Sequence, residues 1–143
     1  MSESLVINNS VSIDDQYQLL VKQVRSLLRK EDNLITNLSN FTAALKQTFP
    51  KISWVGFYLF DGVKLYLGPF QGKVACTEIK IGSGVCGTSA QKKETVIVSD
   101  VDNFPGHIAC DVESRSEIVV PIFKEEKLFG VLDLDSADYN SFN

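Results

Sequence analysis

The sequence predicts a single α+β domain in which two N-terminal helices precede a central antiparallel sheet. Three observations predict it. Apolar residues recur at helical spacing up to Pro50, alternate at strand spacing thereafter, and are interrupted by only one short helical segment. The 143 residues, 44% of them hydrophobic, are enough for one substantial core and too few for two independent folds, so the domain is read as 1–143.

Taking the elements in order, Ser12 and Asp15 resemble a capping box, and Tyr17, Leu20, Val21, Val24, Leu27 and Leu28 form the apolar stripe of a helix over about 14–29. Asp32 can cap a second helix over about 33–48, whose stripe is Leu34, Leu38, Phe41 and Leu45 and whose continuation Pro50 blocks. Such stripes are packing or subunit faces. From Ile52 the period changes: ISWVGFYLF, the turn at Asp61 and Gly62, and VKLYLG read as a β-hairpin. Gly68, Pro69 and Gly72 then break the chain, and KVACTEIKI reads as a third strand carrying Cys76. The glycines of GSGVCGTSAQKKE lead into a short helix with Cys86 near its start, and ETVIVSD forms another strand. A long loop over 100–114 precedes EIVVPIF, the charged turn KEEK and LFGVLDLDS, an antiparallel pair with Gly130 marking a bulge or close packing. The sheet and its loops therefore occupy about 52–135.

Charge and composition exclude several function classes. A net charge of -4 with scattered Lys and Arg provides no basic face for nucleic acid. The N-terminus, MSESLVINNS, lacks the basic start and apolar stretch of a signal peptide, and no later segment reaches the length of a membrane span. The expectation is a soluble, cytoplasmic protein that engages neither nucleic acid nor membrane. Its three cysteines are an odd number and do not form a disulfide framework; they are either buried, inert thiols or partners in a transient, functional disulfide. No CxxC pair occurs, which disfavours a structural zinc site.

Cys110 has the setting of a reactive thiol. It lies in a polar loop with Pro105, Gly106 and His107, and His107 or Arg115 can supply the positive charge that favours a thiolate. Once oxidised to a sulfenic acid, such a cysteine condenses with any thiol that folding brings near it. Asp133 and Asp135 alternate along one strand and project to one face, and Glu117 begins the neighbouring strand. Clustered carboxyls raise at least one pKa, leaving one group to donate a proton and another to hold an ammonium. Solvated edge acids are the simpler alternative. Trp54, the sole tryptophan, reads first as core packing.

The three cysteines, together with WVGFY, IGSGVCGTSA, FPGHIACD, SEIVVPI and GVLDLDS, resemble the free methionine-(R)-sulfoxide reductases, which are single GAF domains; the resemblance runs from about Ile13 to Phe142. It implies a GAF-like sheet of about six antiparallel strands with flanking helices and a loop-roofed ligand cavity. Within that frame Cys110 is the nucleophile that attacks the sulfoxide sulfur, Glu117 the acid on its oxygen, and Asp133 and Asp135 the pocket carboxylates, with Asp135 counted among the catalytic groups. Trp54 is the wall against the substrate's methyl group. Cys76 is the recycling cysteine that pairs with Cys110, and Cys86 relays or substitutes. Thioredoxin or a similar dithiol restores the enzyme, and no metal, nucleotide or flavin is implied. Family members continue into a terminal helix that begins near DYNSF; this sequence ends at Asn143. A homodimer through the N-terminal helices is the expectation from their stripes. Since the GAF fold also serves ligand sensing, the competing expectation is a non-catalytic small-molecule or redox sensor, with an interaction module as the third.

Overall fold

The computed structural model describes residues 4–108 and 110–143. The first three residues, within the stretch read for a leader, and Ala109, within HIACD, lie outside the described residues. Helix α1 (Ile13–Leu27) starts as expected, with the Ser12 hydroxyl accepting from the Asp15 N–H at 3.2 Å. It ends two residues before the expected boundary. Helix α2 (Leu34–Thr48) is capped by Asn33, whose side chain accepts from the Ile35 N–H at 2.8 Å, and not by Asp32. The Asp32 carboxylate is instead held by both arms of the Arg29 guanidinium, at 2.7 and 3.0 Å, a charged fork that draws it away from the helix terminus.

The first hairpin joins β1 (Trp54–Phe60) to β2 (Lys64–Gln71). Gly68 and Pro69 do not break β2. The register jumps so that Tyr58 faces Leu67 and Gly56 faces Phe70, and the two residues between are accommodated in a bulge, where a missing proline N–H costs no ladder bond. Strand β3 is only Glu78–Lys80, so Cys76 lies in the loop before it rather than on it. Helix α3 (Gly84–Lys92) and strand β4 (Val96–Val98) follow, then a single 3₁₀ turn over Val101–Asn103. Strands β5 (Ser116–Lys124) and β6 (Lys127–Ser136) complete the sheet. They are closed by Glu125 and Glu126, both at positive φ (52° and 65°), the conformation of a two-residue primed turn that more often uses Asn and Gly.

The six strands lie in the order β3-β2-β1-β6-β5-β4, every neighbour antiparallel. Because side chains alternate across a sheet, the two faces have different fates. Val55, Phe57, Leu59, Leu132 and Leu134 pack beneath α1 and α2 with Leu20, Leu45 and Phe49. Trp54, Tyr58, Val119 and Val131 pack on the other face with Val85, Cys86 and Ala90 of α3. At Gly130 a β-carbon would lie 2.4 Å from the Tyr58 carbonyl oxygen, and the register also shifts between Ile122 and Phe123 opposite it, so close packing and a bulge coincide there. Among the described residues no helix is long and apolar enough to cross a membrane.

Candidate active site

The α3 face of the sheet gathers the candidate site residues, and strand register places them. Asp135 lies between Trp54 of β1 and Glu117 of β5, and Asp133 lies between Gly56 and Val119. Three carboxyls thus converge on one face of two adjacent strands. Glu117 and Asp133 are 6% and 5% exposed, a depth at which unpaired carboxylates are costly.

Aromatic rings form the wall. Trp54 stacks between Tyr58 and Phe70, with ring centroids 6.0 and 5.4 Å away, and its indole N–H donates to the Lys73 carbonyl at 3.0 Å. Space for the indole exists because residue 56 is glycine: a β-carbon there would lie 2.5 Å from both the indole and Phe70. The Tyr58 hydroxyl donates to the Cys76 carbonyl at 2.9 Å, which ties the loop before β3 to the sheet.

Two connections close the roof. A disulfide joins Cys76 to Cys110, with Cα atoms 5.6 Å apart and a sequence separation of 34, and Lys73 forms an ion pair with Glu113 beside it. Beneath them lies a cavity of about 40 Å³, lined by Trp54, Tyr58, Cys86, His107, Cys110 and the three carboxyls among others. At about 10–15 Å³ of such volume per water, this disulfide-closed form has room for a few waters and none for an amino acid. Cys86 is buried and reduced, outside the disulfide.

Burial dominates the electrostatics. It raises the Glu117 carboxyl, against the opposing effects of a hydrogen bond from Asp133 and of His107, whose Nε2 lies 3.8 Å from Glu117 Oε1. Asp133 is held well above the usual range by burial and by the charges of Asp135 and Glu117, and Asp135 by burial, Glu117 and Asp111. The Asp133–Glu117 hydrogen bond raises the first and lowers the second, so the pair shares a proton that rests on Asp133, and the two titrate as a unit. Burial, then Asp133, pushes the Cys86 thiol well up, and burial with Cys86 does the same to the Tyr58 phenol. One donor atom each from Cys86, Glu117 and Asp133 lies within 4.8 Å of the others, an arrangement that can hold a metal ion.

The structure therefore gathers Trp54, Glu117, Asp133, Asp135, Cys86 and Cys110 around one cavity, with Cys76 at its roof. Sequence reasoning missed Tyr58, although it shares the 54, 56, 58 alternation of the aromatic wall, and left the contact of His107 unassigned. Arg115 is engaged elsewhere: its guanidinium donates to the Val112 carbonyl at 3.3 Å and lies over the Tyr139 ring, 5.9 Å from the centroid.

A six-stranded antiparallel sheet with a roofed cavity on one face and two helices on the other is the architecture of a GAF domain. The chain belongs to that family, whose sequence profile matches residues 12–143. The free methionine-R-sulfoxide reductase of Saccharomyces cerevisiae is 44% identical over 95% of this chain and 80% of its own length, and that of Escherichia coli 42% identical over 88% and 76%. The structure of free methionine-R-sulfoxide reductase from Neisseria meningitidis in complex with its substrate superposes with a TM-score of 0.90 at 44% identity, covering 98% of this chain and 84% of that one. Within the GAF proteins the chain is thus a member of the free methionine-R-sulfoxide reductase family, an oxidoreductase family.

Proposed function

We propose that the protein reduces free methionine-(R)-sulfoxide to methionine, with Cys110 as nucleophile and Cys76 as its recycling partner. The observation that carries the reading is the Cys76–Cys110 disulfide directly over a buried carboxyl cluster. In the first step the Cys110 thiolate attacks the sulfoxide sulfur while Glu117 passes to the oxygen the proton it shares with Asp133. The S–O bond breaks as the hydroxyl passes from the substrate sulfur to the Cys110 sulfur, the transient sulfur–sulfur bond breaks, methionine leaves, and Cys110 is left as a sulfenic acid; the substrate sulfur has gained the two electrons that Cys110 has lost. Cys76 then attacks the sulfenic sulfur, water leaves, and the disulfide forms. Thioredoxin or another dithiol returns both cysteines to thiols and is itself oxidised.

Selectivity for the free amino acid follows from a closed pocket with complementary charge. Asp133, Asp135 and Glu117 hold the ammonium group, and Trp54 packs against the methyl group. The N-terminus of α3, whose Ser83 makes no side-chain cap, offers its free N–H groups at the cavity to the substrate carboxylate. A peptide-bound residue lacks both charges and carries chain on both sides. No metal, nucleotide or flavin takes part in these steps. The disulfide-closed cavity is the resting state at the end of the cycle, and reduction frees the 100–114 loop to admit substrate.

The test is methionine production from the free (R)-sulfoxide with thioredoxin or dithiothreitol, alongside the same residue within a peptide. Turnover of the free compound alone, abolished in Cys110→Ser, is the expected result. Binding without turnover would make the protein a sensor. Self-association belongs to the same proposal: Tyr17 and Val21 stay 40% and 49% exposed on α1, beside an apolar cleft of about 420 Å³ between α1 and the sheet. A second copy covers this face, and sedimentation as a monomer at micromolar concentration would reject that.

A further inference from the structure

We propose that the floor of the cavity is a binding site for a soft divalent cation of the zinc or cadmium class, held by the Cys86 sulfur and by one oxygen each of Glu117 and Asp133. The three donor atoms already lie within 4.8 Å of one another, on α3, β5 and β6. Metal–sulfur and metal–oxygen bonds of about 2.3 and 2.1 Å set tetrahedral donor spacings of roughly 3.3–3.7 Å, so an inward side-chain adjustment on the order of 1 Å completes the set. The fourth position faces the cavity and takes water.

A second observation points to a ligand independently. Asp133 Oδ1 is buried and has no hydrogen-bond partner, an acceptor facing an unmet cost. The Tyr58 hydroxyl of the wall is already committed, since it donates to the Cys76 carbonyl. A cation satisfies it. It also reverses the local charge balance: the Cys86 thiol and the Asp133 carboxyl, which burial and neighbouring charges push up, become with Glu117 the anionic ligands that a divalent ion favours. A sulfur beside two carboxylates suits zinc or cadmium over calcium or magnesium.

The site is separate from the redox pair. Cys86 is not in the disulfide, so the site persists in the oxidised protein, where the remaining space of about 40 Å³ admits an ion and its water but not an amino acid. Binding displaces the protons on the ligands and tightens as pH rises. The other groups facing the site are Tyr58 of β1, Asp135 of β6, and His107 and Asp111 of the roof loop; of these a protonated His107 opposes the ion and Asp135 favours it. The ion would occupy the place assigned above to the substrate ammonium and would inhibit in competition with substrate. That last consequence rests on the proposed function; the binding does not.

The experiment titrates the disulfide-intact protein, verified by a count of one free thiol, with cadmium chloride, reading the sulfur-to-cadmium charge-transfer absorbance and the heat of binding. One equivalent is expected to bind, with the absorbance lost in Cys86→Ser, affinity weakened at least roughly tenfold in Asp133→Asn, and binding weakened as pH falls. Absence of the band in wild type would overturn the proposal, as would a band that survives Cys86→Ser or an affinity indifferent to Asp133→Asn. The second variant keeps the test decisive if Cys86→Ser fails to fold. Since turnover is not read, a negative result here leaves the reductase reading intact, and a failed turnover assay leaves the cation site intact.

Discussion

Reduction of the Cys76–Cys110 disulfide should cost a measurable share of the protein's stability, and the structure sets the amount. The bridge closes a loop with a sequence separation of 34 residues. The chain-entropy relation for such a loop gives about 4 kcal/mol at room temperature. For 143 residues, an unfolding entropy of roughly 2.1 cal/mol/K per residue converts this to a melting temperature about 12 °C lower in the reduced protein. The assay is calorimetric melting of wild type, Cys76→Ser and Cys86→Ser, each with and without dithiothreitol, with thiol counts before each scan. Wild type should show the full redox difference. Cys86→Ser should melt lower than wild type in both states, having lost a buried thiol, yet keep the difference between them. Cys76→Ser should lose the difference. Equal melting temperatures for oxidised and reduced wild type would refute the reasoning, and a difference that vanishes in Cys86→Ser but survives in Cys76→Ser would reassign the pair.

Three other outcomes can be checked directly. Replacing Glu117 with Gln removes a proton donor but little volume, so the single-turnover rate of sulfoxide reduction should fall about 10²–10⁴-fold while substrate affinity changes far less; an unaltered rate would move the acid elsewhere. The Asp133 carboxyl is raised in the folded state by burial and then by Asp135 and Glu117, so the folded chain binds its proton more tightly than the unfolded chain. The stability this contributes is present below the unfolded pKa of about 3.9 and is lost as pH rises through the folded value. Urea unfolding should therefore find Asp133→Asn close to wild type at acid pH and more stable than wild type at neutral pH, and an advantage that grows toward acid pH would contradict the sign. Gly56→Ala brings a methyl group to 2.5 Å from the Trp54 indole and Phe70, which should cost about 1–3 kcal/mol in urea unfolding and raise KM by tilting the wall. Unchanged stability would mean that the wall yields freely.

The sequence carried the alternation clearly, and with it much of the site. Asp133 and Asp135 could be placed on one face because strand period is two, and Glu117 opposite them because a four-residue charged turn joins the two strands. Other features depended on competition that a linear reading does not resolve. Asp32 and Asn33 are both good caps, and only the position of the Arg29 side chain decides that Asn33 serves. Gly68 and Pro69 read as a break because a bulge is invisible until its partner strand is known. Pairing of β3 with β2 begins only at Glu78, and Cys76 lies in the loop before it, where its carbonyl accepts from the hydroxyl of a tyrosine 18 residues earlier. Tyr58 lies in the run WVGFYLF, whose apolar neighbours give no sign that its hydroxyl holds a loop. The approach of His107 to Glu117 depends on the fold of the long loop, which has little periodicity to read.

The alternation along β6 has a further consequence for how the chain tolerates change. Residues 131, 133 and 135 lie on the α3 face, the two aspartates at the cavity, while 132 and 134 face α1 and α2, so a slip of one position would drive two aspartates into the leucine-lined interior and turn apolar side chains toward the cavity. Gly130 opposes such a slip: no larger residue can sit where a β-carbon would meet the Tyr58 carbonyl at 2.4 Å. Single-residue insertions or deletions between positions 130 and 136 should therefore abolish folding and activity together, whereas the same changes at the exposed turn of Glu125 and Glu126 leave this face in place. The strand that supplies the acids is also the one that aligns the hydrophobic layer, so the cavity forms only when the interior is correctly assembled.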